Sequence, residues 1–191
     1  MKRKFWNDLL EWKNKNIEMP LMVVGARQVG KTYIIDKFCS ENFDDYVYIN
    51  LKDEPDIIDF FKENIPTCDK VRKLELKLNR SIKGETVIFF DEIQESEELI
   101  SSLKYFCESS FPYKIVCAGS LLGVKLKRFN SSFPVGKVNI LHMYPMDFEE
   151  FLLSIGEELA VDEIKLCFNN NVKIDDFLHR KLINYYRLYL C

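Results

Sequence analysis

Gly25-Ala26-Arg27-Gln28-Val29-Gly30-Lys31-Thr32 is the most distinctive segment of the chain. It has the form G-x-x-x-x-G-K-[ST]. The apolar run Leu21-Met22-Val23-Val24 precedes it and a helix-like run, Tyr33 to Phe38, follows. A glycine-bounded loop between a buried strand and a helix lets successive backbone N–H groups, and the positive end of the helix dipole, converge on one anion. Lys31 has the reach to meet β- and γ-phosphates, and the Thr32 hydroxyl suits Mg²⁺. The expected nucleotide-binding residues are therefore Gly25, Ala26, Arg27, Gln28, Val29, Gly30, Lys31 and Thr32, with Tyr33 at the start of the helix.

A second chemical element lies downstream. Val87-Ile88-Phe89-Phe90-Asp91-Glu92 is an apolar strand that ends in two carboxylates, the Walker B pattern. Asp91 is expected to hold Mg²⁺, directly or through water. Glu92 is expected to orient and deprotonate an attacking water, and Gln94 to face the γ-phosphate. The run Lys114 to Ser120 reads as another strand with a small polar tip. In a parallel sheet the carboxyl ends of the strands line the ligand crevice. Ser120 then lies near Asp91, unless it simply caps a helix over 121–127. Residues 123–137 carry Lys125, Lys127, Arg128 and Lys137. Arg128 or Lys137 can supply a cation to the developing phosphate charge, in cis or from a neighbouring subunit; otherwise the stretch is a solvated loop.

Residues 3–15 read as an amphipathic helix with Phe5, Leu9 and Trp12 on one stripe. Tyr46 to Leu51 reads as a strand and Asp56 to Lys62 as a helix. Residues 70–83 read as a basic amphipathic helix whose Lys70, Arg72, Lys73, Lys77 and Arg80 form a solvated face. Ser96 is an expected N-cap. Lys137 to Tyr144 gives a fifth strand. From Pro145 the period becomes helical: one helix opens at Pro145, buries Phe148, Phe151, Leu152 and Ile155, and closes at Gly156. Two more helices follow, over 157–168 and from Asp175 on. The chain thus divides into a P-loop core over 1–145 and a helical, lid-like or linker segment over 146–191. Its aromatic, uncapped end reads as that of a truncated piece of a longer protein.

The totals narrow the function. The chain has 191 residues with a net charge of −3, which gives no general pull toward nucleic acid or an anionic surface. Six cysteines show no metal spacing and read as small buried hydrophobes in a reducing compartment. No secretory leader and no run of 18 apolar residues is found, so the expectation is a cytoplasmic protein with no membrane partner.

Taken together, four segments resemble the AAA_14 group of P-loop ATPases. They are Pro20-Leu21 with the loop Gly25 to Thr32, Phe90-Asp91-Glu92-Ile93-Gln94, Gly119-Ser120, and Tyr144 to Leu152. The resemblance covers about residues 5–152. It implies a three-layer α/β sandwich with a five-stranded parallel sheet in the order 5-1-4-3-2, and ATP as the nucleotide. Lys31 and Thr32 would bind phosphate and Mg²⁺, Asp91 would be the metal carboxylate, Glu92 the base and Ser120 the sensor. Members of the group often have Gly-Arg where this chain has Gly136-Lys137. They usually continue into a C-terminal domain that would be this chain's missing partner.

The leading expectation is a Mg-dependent ATPase acting as a conformational switch for that domain. A nucleotide-gated binding or assembly module with negligible turnover is the second. A nucleic-acid-associated ATPase is the third, resting on the bases at 70–83 and 125–137.

Overall fold

The computed structural model describes residues 3–15, 19–108, 114–120 and 134–190. Five parallel strands form one sheet: β1 (Leu21–Gly25), β2 (Tyr46–Asn50), β3 (Val87–Asp91), β4 (Lys114–Ser120) and β5 (Asn139–His142), in the order β2-β3-β4-β1-β5. Read from the other edge, this is the expected 5-1-4-3-2. The burial pattern of each strand matches its place. β1, β3 and β4 are apolar and buried on both faces, as interior parallel strands must be, whereas the edge strands β2 and β5 are partly open.

Helices cover both faces of the sheet. On one side lie α3 (Pro55–Lys62), α4 (Thr67–Leu78) and α5 (Glu97–Glu108). Their Ile57, Phe61, Leu74, Leu99 and Leu103 pack with Met22, Ile49, Ile88 and Phe90 of the strands. On the other side α2 (Lys31–Asn42) buries Ile34, Ile35, Phe38 and Cys39 and touches β1, β2, β3 and β4. The helix α1 (Phe5–Asn14) joins that layer through Trp12, whose ring centroid is 6.4 Å from that of Phe43, and through Lys13 Nζ, which donates to the Asn42 carbonyl at 2.6 Å. Each large apolar side chain so buried contributes about 2 kcal/mol.

Two compact units result. One is Asp8–Tyr144; the other joins residues up to Asn7 with Pro145 onward. In the second, α6 (Phe148–Ser154), α7 (Glu158–Asn169) and α8 (Asp176–Tyr189) pack around Leu152, Ala160, Val161 and Leu182. Phe148 meets Tyr186 at 5.3 Å and Tyr189 at 5.7 Å between centroids, so these late aromatics have partners within the unit. Lys4 bridges Asp147 at 2.8 Å and Glu149 at 2.7 Å.

Three element expectations change. Helix α4 starts at Thr67 and ends at Leu78, because Asn79 turns left-handed (φ 48°) and its N–H returns to the Glu75 and Leu76 carbonyls. Lys70 is not solvated. It is 7% exposed, donates to the Phe61 carbonyl at 3.2 Å, and lies over the Phe61 ring. Finally, α6 opens at Phe148 rather than Pro145. Asp147 and Glu150 form a reciprocal capping box in which each side chain accepts from the other's backbone amide, and Ile155 is exposed at the other end.

Gly25 shows how tightly the loop is rooted. The Met143 N–H donates to the Val24 carbonyl at 2.8 Å, and a Cβ on Gly25 would sit 2.2 Å from the Met143 oxygen. Backbone cannot yield as a flexible side chain does. Gly25→Ala is expected to destabilise the chain by about 2 kcal/mol, seen as a lowered urea midpoint. An unchanged midpoint would contradict this packing.

Candidate nucleotide-binding site

The site lies at the carboxyl end of the sheet, where β1, β3 and β4 stop. The turn after β1 brings Gln28 and Gly30 to positive φ (64° and 89°), and Gly30 N-caps α2 in the left-handed region that glycine tolerates best. The loop therefore delivers Lys31 and Thr32 to the first turn of α2, with the amides of that turn unsatisfied inside the helix. A cavity of about 430 Å³ opens there. Arg27, Lys31, Thr32, Tyr33, Asp91, Glu92, Gln94 and Ser120 are among its lining residues.

Lys31 is 8% exposed, and its Nζ donates to the Gly25 carbonyl at 3.1 Å and the Ala26 carbonyl at 2.6 Å. Burial lowers the pKa of the ammonium, while the charges of Glu92 and Asp91 oppose that shift. Thr32 Oγ1 donates to Asp91 Oδ2 at 2.7 Å. Asp91, 4% exposed, also accepts from the Tyr48 hydroxyl at 3.2 Å and, through Oδ1, from the Glu92 amide at 2.9 Å. This carboxylate is oriented by three donors.

Glu92 has left-handed backbone angles (φ 52°, ψ 41°) and N-caps a short 3₁₀ turn, Ile93–Glu95. That turn doubles the chain back so that Gln94 Nε2 donates to Glu92 Oε2, while Gln94 Oε1 accepts from the Ser120 amide at 3.2 Å. Ser120 is 4% exposed, and its Oγ has no hydrogen-bond partner among the described residues. A buried hydroxyl without a partner, on the wall of a polar cavity, is an open position for a ligand oxygen.

The structure thus brings Lys31, Thr32, Asp91, Glu92, Gln94 and Ser120 together. It does not bring Lys137. That residue precedes β5, whose Asn139 pairs with Leu21 at the amino end of β1. Lys137 is therefore separated from the phosphate loop by the length of β1, roughly 15 Å. Arg128 lies outside the described residues, as does the helix expected over 121–127. Two lining or supporting residues escaped the sequence reading, Tyr48 and Lys52. Tyr48 carries a weak signal: on β2 it pairs with Phe89, one alternation before the pair Asn50 and Asp91.

Burial and then the Asp91 carboxylate push the Tyr48 hydroxyl up to about 12, so it stays a donor at neutral pH. Tyr48→Phe keeps the ring on Phe89 and removes only that donor. It is expected to weaken Mg-dependent nucleotide binding about tenfold without moving Mg-free binding. Equal effects with and without Mg²⁺, measured by titration calorimetry, would argue against an Asp91-orienting role.

A five-stranded parallel sheet with a phosphate-type loop after the interior strand β1 defines a P-loop nucleotide-binding α/β protein. The AAA_14 family (AAA domain) matches residues 18–152, and the chain belongs to that family, an ATPase-type nucleotide-binding module. It is 32% identical over 146 residues to an uncharacterized protein of Methanocaldococcus jannaschii, covering 73% of this chain and 31% of that one. The chain thus spans about a third of this curated relative's length. Among solved structures, the fold resembles that of Drosophila ORC bound to DNA, with a TM-score of 0.53, 14% identity, and coverage of 85% of this chain and 49% of that one. It also resembles the ORC2 protein of Aeropyrum pernix in its ADPNP–ADP complexes, with a TM-score of 0.50, 14% identity, and coverage of 94% and 64%. No helix among the described residues is long and apolar enough to cross a membrane.

Proposed function

We propose that this chain is a Mg-dependent ATP-binding and ATP-hydrolysing module. The observation that carries the reading is the convergence of Lys31, Thr32, Asp91 and Glu92 on one cavity, with the buried, unpartnered Ser120 hydroxyl in its wall. The donor set is hydroxyl and carboxylate oxygen, which fits a hard divalent cation. Among the described residues no cluster of three His, Cys, Asp or Glu forms an all-protein cage. Mg²⁺ at Thr32, with Asp91 behind it, would take its remaining ligands from phosphate oxygens and water, and would neutralise phosphate charge.

The chain's own residues divide the remaining work. The loop amides and the start of α2 bind the phosphates. Lys31 exchanges the Gly25 and Ala26 carbonyls for β- and γ-phosphate oxygens. Ser120 Oγ donates to the γ-phosphate. Glu92 accepts a proton from the attacking water and aligns it with the phosphorus. A role for Lys137 at the phosphates requires a second copy of the chain, because of its place at the far end of β5.

One observation favours a second reading, a nucleotide-gated binding or assembly module with negligible turnover. Lys31 and Glu92 are both engaged by the chain itself, one on loop carbonyls and the other on Gln94. The nucleic-acid reading is less supported. Although the Drosophila ORC structure contains DNA, the basic residues near α4 are largely paired here: Lys73 with Glu63, Lys77 with Asp56 and Arg80 with Asp45. A switch role toward a further domain is part of this proposal; the Methanocaldococcus relative extends well beyond the stretch it shares with this chain, which leaves room there for such a domain.

The test is calorimetric titration with ATP, with and without Mg²⁺, alongside phosphate release. Mg-dependent binding with phosphate release supports the hydrolase. Binding without release supports the gated module. No binding sinks both.

A further inference from the structure

Resting on that reading of the site, we propose that Gln94 is a positioning residue that couples γ-phosphate occupancy at Ser120 to the orientation of Glu92. The ladder between β3 and β4 ends at Phe90 and Cys117, yet β4 continues to Ser120, which pairs with Gly25 on its other side. Beyond Cys117 the strand tip forms no further ladder pair with β3, which itself ends one residue on at Asp91. The left-handed Glu92 and the 3₁₀ turn place the Gln94 side chain beside that tip.

Both ends of the Gln94 amide are committed there. The Ser120 N–H can only donate, so it requires Oε1. The Glu92 carboxylate can only accept, so it requires Nε2. The two partners fix the orientation of an amide that would otherwise be free to flip. Gln94 itself is buried, 6% exposed.

The result is a connection of one side chain and two hydrogen bonds, with one end at each functional group. At one end stands Ser120, its amide held and its buried hydroxyl open to the cavity. At the other stands the carboxylate that is proposed as the base. A γ-phosphate oxygen that engages Ser120 Oγ shifts the β4 tip. Gln94 follows through its bond to the Ser120 amide and re-aims Glu92. ADP has no oxygen at that position and leaves Gln94 as it is.

The test uses the whole chain and the apolar Gln94→Leu variant, which removes both hydrogen-bonding ends of the side chain. First, ADP and a non-hydrolysable ATP analogue are titrated, with Mg²⁺, into the ¹⁵N-labelled wild type. The side-chain amide resonances of Gln94 are expected to shift with the ATP analogue and not with ADP. Equal shifts with both, or none with either bound, overturn the proposal while leaving the nucleotide site intact. No binding of either overturns the site itself. Second, Gln94→Leu is expected to bind ADP within twofold of wild type and to lose ATP-over-ADP preference about tenfold. If the chain turns over, kcat falls by about the same factor or more, and the double variant with Glu92→Gln is no slower than Glu92→Gln alone. ADP affinity that falls in step with the ATP preference would mark Gln94 as merely structural. Thermal melting of the variant separates a folding defect from either outcome.

Discussion

Glu92→Gln is expected to reduce phosphate release from Mg·ATP by a factor on the order of 10² to 10⁴, the range contributed by a well-placed general base. ATP should bind as tightly as before, or more so. The isostere keeps the side-chain volume, and its carbonyl oxygen still accepts from Gln94 Nε2, so the link from Ser120 through Gln94 survives. What it loses is the negative charge and the proton-accepting oxygen. Removing a carboxylate that lines the phosphate cavity also removes a repulsion against ATP. Phosphate release in a coupled assay and nucleotide affinity by calorimetry check the two halves separately. A variant that still turns over at the wild-type rate would remove Glu92 from the mechanism.

Lys31→Ala is expected to weaken Mg·ATP binding about 100-fold. Hydrogen bonds to a charged partner contribute about 1.5–3 kcal/mol each, and the ammonium is placed to make more than one. The same change should leave the thermal stability of the free chain nearly unaltered. Burial already disfavours this ammonium, and its present partners, the Gly25 and Ala26 carbonyls, belong to an exposed or half-buried loop that water can reach. An unchanged melting temperature with lost binding isolates the phosphate role. Lost folding together with lost binding would mean that Lys31 serves chiefly to hold the loop.

Much of the site was legible because its chemistry is local in the chain. Gly25 to Thr32 form one loop, and Asp91 and Glu92 end one strand, so spacing alone brings out both. The strand order is different: periodicity gives five strands but not their neighbours, and it was the resemblance to AAA_14 that supplied 5-1-4-3-2, now observed. Tyr48 was missed because a tyrosine in an edge strand reads as ordinary β-propensity, and only the sheet carries its hydroxyl to Asp91. The bridging role of Gln94 depends on Ser120, which is 26 residues away. Lys70 looked solvated because charge predicts exposure, yet the Phe61 carbonyl and ring receive its ammonium. The start of α6 could have been read from Asp147-Phe148-Glu149-Glu150, where the capping box outweighs the preference of proline for a first turn.

The Lys31 ammonium rests on the carbonyls of its own loop. In thermodynamic terms the free site is therefore pre-occupied. An incoming triphosphate competes with an internal ligand, and its net affinity is the difference between two sets of contacts. The same internal ligand is at hand when a product departs, because the lysine can return to the carbonyls as the phosphate leaves. Under the proposed function, a site with such an internal ligand gives up part of its grip on the triphosphate, which accords with a module that resets between nucleotide states.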